Sequence, residues 1–130
     1  MAYEENRMET ALWGIQILLA VVFSITGYLK VSQPKEKLAK QVRWVRRFPP
    51  SSIKAFGVAE LLATAGLILP MLTGILPWLT PLAATGLVLD MIVAALVHLR
   101  LSEYNFIALN VVLGVLAAFV AVGRFFIEAV

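Results

Sequence analysis

The stretch TALWGIQILLAVVFSITGYLKV, residues 10–31, decides the fold, because apolar side chains fill most of its length. Crossing the hydrocarbon core of a bilayer takes about 20 predominantly apolar residues in an α-helix. Three further stretches of similar character follow at residues 52–70, 75–99 and 104–126. The sequence therefore predicts an all-α protein, an integral membrane antiparallel four-helix bundle that forms a single transmembrane domain over residues 1–130.

The overall composition excludes a soluble protein. Hydrophobic residues make up 61% of the 130 residues and charged residues 15%, whereas soluble domains average about 45–50% apolar and about 25% charged residues. A water-soluble globule of this size could not hide so much apolar surface, because small domains bury the smallest fraction of their surface. The same apolar content excludes an intrinsically disordered chain.

The residue inventory excludes thiol chemistry and two common kinds of metal site. The chain contains no cysteine, so it has no disulfide framework, no thiol redox relay and no thiolate metal site. The only histidine is His98, which excludes a zinc or haem site with several histidine ligands. We therefore expect no metal and no covalently attached cofactor.

The basic residues predict the orientation in the membrane. The net charge is +3, and seven of the eleven Lys and Arg residues lie between Lys35 and Lys54. Cytoplasmic loops of membrane proteins carry such an excess of positive charge. We expect both basic links to be cytoplasmic and both termini extracytoplasmic, in a membrane such as the bacterial inner membrane. This distribution favours the lipid bilayer, rather than nucleic acid, as the partner of the basic charge.

The link between the first two spans has a helical pattern of its own. Leu38, Val42 and Val45 recur at helical spacing, and basic residues occupy most of the positions between them. The segment Pro34–Phe48 is therefore predicted to be a basic amphipathic helix in the membrane interface; the alternative is an ordinary positive loop with some helix. The residues predicted to lie at the lipid interface are Lys35, Lys37, Lys40, Arg43, Trp44, Arg46 and Arg47.

Polar residues within the spans are few, and three of them lie at similar depths. With a rise of about 1.5 Å per residue, Glu60 and Asp90 lie roughly 12–13 Å, and Asn110 roughly 9 Å, from the cytoplasmic end. Asn110 heads a stripe of small residues, Gly114, Ala117 and Ala121, and such stripes mark close helix contacts in membranes. We therefore expect these three polar side chains to converge inside the bundle.

Two interpretations of these polar residues stay open. They form either a structural network that holds the helices in register or a site that binds a ligand or carries a proton. Two carboxyl groups facing one lysine leave an acid without a counter-charge, and that acid could hydrogen-bond a ligand headgroup. Lys30 could instead extend to the interface. The candidate site consists of Lys30, Glu60, Asp90, His98 and Asn110, and no residue is singled out as catalytic.

The succession of motifs resembles the DoxX-like family of small membrane proteins. The first span contains ILLAVVFSITGYLKV with its Gly-x-x-Lys ending, and the second contains FGVAELLATAGLILP with a central glutamate. The third span ends in HLR, and the fourth opens with EYNFIALNVVLG. The resemblance implies a four-helix bundle and points to Lys30, Glu60, His98 and Asn110. Asp90 is added from its depth and its helix face.

The resemblance implies function only in broad terms. Some members of the family are subunits of thiosulfate:quinone oxidoreductases, others are linked to oxidative stress or catechol resistance, and a related branch assists receptor assembly. For this chain it implies an accessory subunit that holds a quinone or another lipid, with a redox partner protein supplying the electron chemistry because cysteine is absent. The alternatives are a non-enzymatic assembly or chaperone subunit and a proton-coupled transporter. A homo-oligomer is compatible with each of them.

Overall fold

The protein is built from long helices joined by short links. A computed structural model describes the backbone of residues 2–128 and the side chains of residues 6–126. Over this part of the chain there are no strands, and the elements are α1 (Ala2–Ser32), α2 (Lys35–Gln41), a 3₁₀ helix (Arg43–Arg47), α3 (Pro50–Thr73), α4 (Leu79–Arg100) and α5 (Tyr104–Glu128). The prediction of an all-α protein is confirmed for these residues.

Four of the helices are long and apolar enough to cross a membrane. Their spans are Asn6–Ser32, Pro50–Thr73, Leu79–Arg100 and Tyr104–Phe126, with mean hydropathies between 1.8 and 2.5. Only 17–33% of the most apolar window of each helix is buried inside the protein. Most of the apolar surface therefore faces outward, where hydrocarbon and not water is the compatible solvent.

The turn between α3 and α4 differs from the sequence prediction. The third span begins at Leu79 and not at residue 75, because Gly74 and Leu76 adopt left-handed backbone conformations with φ of 74° and 50°. Helix α3 also continues past Pro70 to Thr73. Since Pro70 has no N–H to donate to the carbonyl of Gly66, that carbonyl is available, and it accepts a hydrogen bond of 2.8 Å from Thr80 Oγ1.

The four long helices form a closed ring of neighbours in the order α1, α3, α4, α5. Gly27 of α1 lies beside Gly57 of α3, and Gly66 of α3 lies beside Ala83 of α4. The interior is apolar over most of its length, with Leu12, Leu19, Phe23, Leu67, Ala84, Leu87, Met91, Leu113, Ala117 and Val120 buried together.

The basic segment between α1 and α3 is not one continuous helix. It forms α2 and the 3₁₀ helix, separated by Val42 in an extended conformation (φ −129°, ψ 114°). Leu38 and Val45 are buried and pack against Ile53 of α3. The apolar face of the segment therefore contacts the end of the bundle at which α1 stops and α3 starts.

Candidate functional site

The site is organised around an ion pair between α1 and α3. Lys30 Nζ donates a hydrogen bond to Glu60 Oε1 at 2.6 Å, and Thr26 Oγ1 lies 3.2 Å from the same oxygen. The two helices can approach this closely because Gly27 and Gly57 face each other. A Cβ atom on Gly57 would lie 2.8 Å from both the Gly27 carbonyl oxygen and Lys30 Cβ.

The other two helices bring polar groups to the same place. Asp90 of α4 borders a cavity together with Lys30 and Glu60, and Asn110 of α5 is 7% exposed. Asp90 Oδ2 and Asn110 Nδ2 are buried without a hydrogen-bonding partner among the described residues. An unsatisfied buried polar atom costs about 1–3 kcal/mol. Two such atoms in one site are typical of groups that meet a water molecule or a ligand.

His98 lies at the end of the site that is predicted to face the cytoplasm. It is 8% exposed, and its Nδ1 lies 3.3 Å from Glu103 Oε1 in the link to α5. Its ring stacks on Phe106 with a centroid separation of 5.0 Å and an angle of 17° between the planes. This stacking fixes the ring plane and leaves the imidazole edge as one border of the site.

These residues surround a cavity of about 290 Å³. This is close to the lower limit, about 300 Å³, of pockets that hold small molecules. Its walls are apolar apart from a few polar groups, as is usual for ligand sites. All five candidate residues line it: Lys30, Glu60, Asp90, His98 and Asn110. The structure thus brings them together, while their role in binding stays a prediction.

The basic segment supplies the end wall of the cavity. Trp44, Phe48 and Phe56 contact one another edge to face, with ring centroids 5.5–6.3 Å apart. Lys30 Nζ lies 5.4 Å from the centre of the Trp44 ring. The half-buried ring of Trp44 lines the cavity, and its location at the lipid interface stays a prediction. The basic side chains around it are largely exposed: Lys37, Lys40, Arg43, Arg46 and Arg47, with Lys35 half-buried.

The arrangement can hold a molecule with a polar head. Lys30, Asn110 and one tautomer of His98 offer hydrogen-bond donors, and the two carboxyl groups offer acceptors. The aromatic cluster and the leucine and valine side chains of the wall offer apolar contact. One lysine balances one carboxylate, so the second carboxyl group is available to a proton or to a donor on a ligand.

A second buried polar cluster at the opposite end of the bundle was missed by the sequence analysis. Arg124, fully buried, donates from Nη1 to Glu9 Oε2 and from Nε to Gln16 Oε1, both at 2.6 Å. Its guanidinium also lies 5.7 Å from the centre of the Trp13 ring. A signal was available, because Arg124 continues the stripe of Asn110, Gly114, Ala117 and Ala121 by one further helical step.

Comparison with known protein families gives a match. The model of the DoxX-like family matches residues 14–120, which include the greater part of each of the four long helices. No curated protein matches the chain, and no solved structure does. The resemblance seen in the sequence motifs is thereby confirmed.

Proposed function

Since the chain belongs to the DoxX-like family, we propose that it holds a lipophilic molecule with a polar, quinone-like headgroup in the cavity beneath the basic segment. In this proposal it is an accessory membrane subunit linked to redox or oxidative-stress chemistry. The chain has no cysteine, so a partner protein would exchange electrons with the bound molecule.

One observation carries the proposal. Asp90 Oδ2 and Asn110 Nδ2 are buried without partners within the described part of the chain, and both residues line the same cavity. One atom is an acceptor and the other a donor, so a headgroup that both accepts and donates would satisfy the pair. A quinone accepts hydrogen bonds at its carbonyl oxygens, and its reduced form also donates from its hydroxyl groups.

The proposal includes an orientation in the membrane. The cavity end of the bundle, where the basic segment lies, would face the cytoplasm of a bacterial cell, and the Arg124 end would face outside. The exposed Lys and Arg side chains of the segment would lie at the headgroups of anionic lipids, where each contributes about 1 kcal/mol.

The alternative is an assembly subunit with a purely structural polar network. The Arg124 cluster favours it, because there Arg124, Gln16 and the Leu67 carbonyl, which belong to three helices, are joined by hydrogen bonds of 2.6 Å away from the cavity. On this alternative, the cavity polar groups would serve helix packing alone.

A binding measurement distinguishes the ligand-holding role from the assembly role. Decylubiquinone is titrated into the protein in lipid nanodiscs, and the quenching of tryptophan fluorescence reports its binding. We expect Asp90→Asn and Asn110→Leu each to lower the affinity about tenfold, which corresponds to about 1.4 kcal/mol, while the fold survives. Asn110→Leu should also leave unfolding unchanged or raise its free energy, since it removes an unsatisfied donor.

Thr85→Val is the matched control. Thr85 lies on α4 outside the cavity, and its hydroxyl donates to the Pro81 carbonyl of its own helix, so its replacement should leave the affinity unchanged. If the wild-type protein binds no quinone, or if the two cavity variants bind as well as wild type does, the assembly role replaces the proposed one.

A further inference from the structure

A second concavity lies on the outer surface between α3 and α4. This groove has a volume of about 580 Å³. Glu60 and Asp90 are the two residues that line both the groove and the cavity. These two residues therefore border both the outer groove and the inner cavity.

The groove is formed by matching stripes on the two helices. On α3 it follows Ala59, Ala63, Gly66 and Pro70, and on α4 it follows Leu79, Ala83, Gly86 and Asp90. Each stripe spans twelve residues, and the eleven steps between its ends cover about 16 Å along a helix. The groove thus starts at the level of the carboxyl groups and runs toward the opposite end of the bundle, within the apolar part of the spans.

The chemistry of the groove fits a hydrocarbon chain. Apart from Glu60 and Asp90, its lining has no polar side chain. The nearby hydroxyl groups of Thr64, Thr80 and Thr85 donate to helix carbonyl oxygens, at 2.8–3.0 Å. A polar partner would find no free hydrogen-bonding group along this length, whereas an apolar chain requires none.

The shape of the groove favours a single hydrocarbon chain over a transmembrane helix as its occupant. Its floor is narrow, because a Cβ atom on Gly66 would lie 2.8 Å from Ala83 Cβ. Leu62, Leu69 and Leu82 line it and are 68%, 52% and 57% exposed. These projecting leucines hinder the close backbone approach through which membrane helices pack at small residues. A single flexible chain can lie among them.

We propose that this groove holds the hydrocarbon tail of the bound molecule and is its route from the bilayer into the cavity, past Glu60 and Asp90. The ligand is then a membrane lipid with one long apolar tail and a small polar head, and it enters sideways. The basic segment walls the cytoplasmic end of the cavity, so the bilayer side is the access that an apolar molecule can use. This inference rests on the proposed function.

Gly86→Leu is the variant that tests the groove. A Cβ atom on Gly86 would meet no other atom within 4 Å, so a larger side chain fills the groove without displacing its neighbours. Gly14→Leu is the matched control, because Gly14 is also an exposed helical glycine with no atom within 4 Å, and it lies on α1 outside the groove.

Two probes with the same head are compared in nanodiscs: 2,3-dimethoxy-5-methyl-1,4-benzoquinone, which has no tail, and decylubiquinone. We expect Gly86→Leu to weaken binding of the tailed probe at least tenfold and to change binding of the tail-less probe less than twofold. Gly14→Leu should change neither. If Gly86→Leu binds the tailed probe as well as wild type does, or weakens both probes equally, the groove is not the tail site, although the proposed function stands.

If the wild-type protein binds neither probe, the proposed function is wrong, and the tail site is wrong with it. A second measurement locates the tail directly: a decyl-tailed quinone with a diazirine at the end of its tail should label the groove stripes of α3 and α4. Labelling on α1 or α5 would overturn the inference. So would a disulfide-linked dimer of Gly86→Cys in membranes, because a second copy would then cover the groove.

Discussion

Arg124 and Gln16 are 108 residues apart in sequence, yet the Arg124 Nε donates to the Gln16 Oε1 at 2.6 Å, and both side chains are fully buried. Gln16 in turn donates a hydrogen bond from its Nε2 to the Leu67 carbonyl oxygen at 2.6 Å. One chain of hydrogen bonds thus joins α5, α1 and α3 at one end of the bundle. Among the described residues, Arg124 Nη2 is buried without a partner at this end, as Asp90 Oδ2 and Asn110 Nδ2 are at the other, but the hydrogen-bonded chain between helices is at the Arg124 end.

Replacement of Arg124 by methionine should destabilise the protein by about 1–3 kcal/mol. The change leaves the buried Gln16 Oε1 without a donor, and an orphaned buried acceptor costs about this much. The measurement is equilibrium unfolding in detergent micelles. Thr10→Val is the control, with an expected effect below about 1 kcal/mol, because the exposed Thr10 hydroxyl donates to the Asn6 carbonyl of its own helix. Equal losses for the two variants would contradict this account.

Gly57→Ala should destabilise the protein by about 1–3 kcal/mol, the usual cost of overpacking. The new methyl group would lie 2.8 Å from the Gly27 carbonyl oxygen, which is backbone and cannot rotate away. Thermal unfolding of the purified protein measures the loss. Gly14→Ala, which meets no atom within 4 Å, should instead be neutral or gain up to about 1 kcal/mol from helix propensity. A neutral Gly57→Ala would show that α1 and α3 are not held this closely.

The ion pair between Lys30 and Glu60 should appear as an energetic coupling. A double-mutant cycle with Lys30→Met and Glu60→Gln is expected to give a coupling of about 0.5–3 kcal/mol in unfolding free energy. The Glu60 side chain is 3% exposed, so the coupling should persist in 0.5 M salt, since buried pairs are poorly screened. Additive single effects would indicate that Lys30 extends to the interface instead.

Cysteine labelling should report the orientation. The chain has no native cysteine, and Lys40 and Thr73 are both exposed, at opposite ends of the bundle. A membrane-impermeant maleimide should label Thr73→Cys in intact cells and Lys40→Cys only after permeabilisation. Labelling in the reverse order would place the basic segment outside.

Much of the architecture could be predicted from the sequence, because the bilayer imposes a length and a polarity on each span. The apolar runs located the four long helices to within a few residues at most ends. The polar candidates were identifiable for the same reason: an ionisable residue such as Glu60 or Asp90 is costly in a span and is therefore rare. The motifs were sufficient to identify the DoxX-like family.

Other features depend on how the helices are rotated and aligned against one another. The partnership of Arg124 with Gln16, the position of Trp44 in the cavity wall and the break at Val42 have no local signature in the sequence. The groove likewise exists only where a stripe of α3 and a stripe of α4 come together. The sequence alone determined which segments lie in the membrane and which polar residues are unusual there. The reason is that the free energy of transfer from water to hydrocarbon depends on the residues of each segment separately. Only the tertiary structure decided which of those residues meet, because hydrogen bonds and close packing require the register between helices distant in sequence.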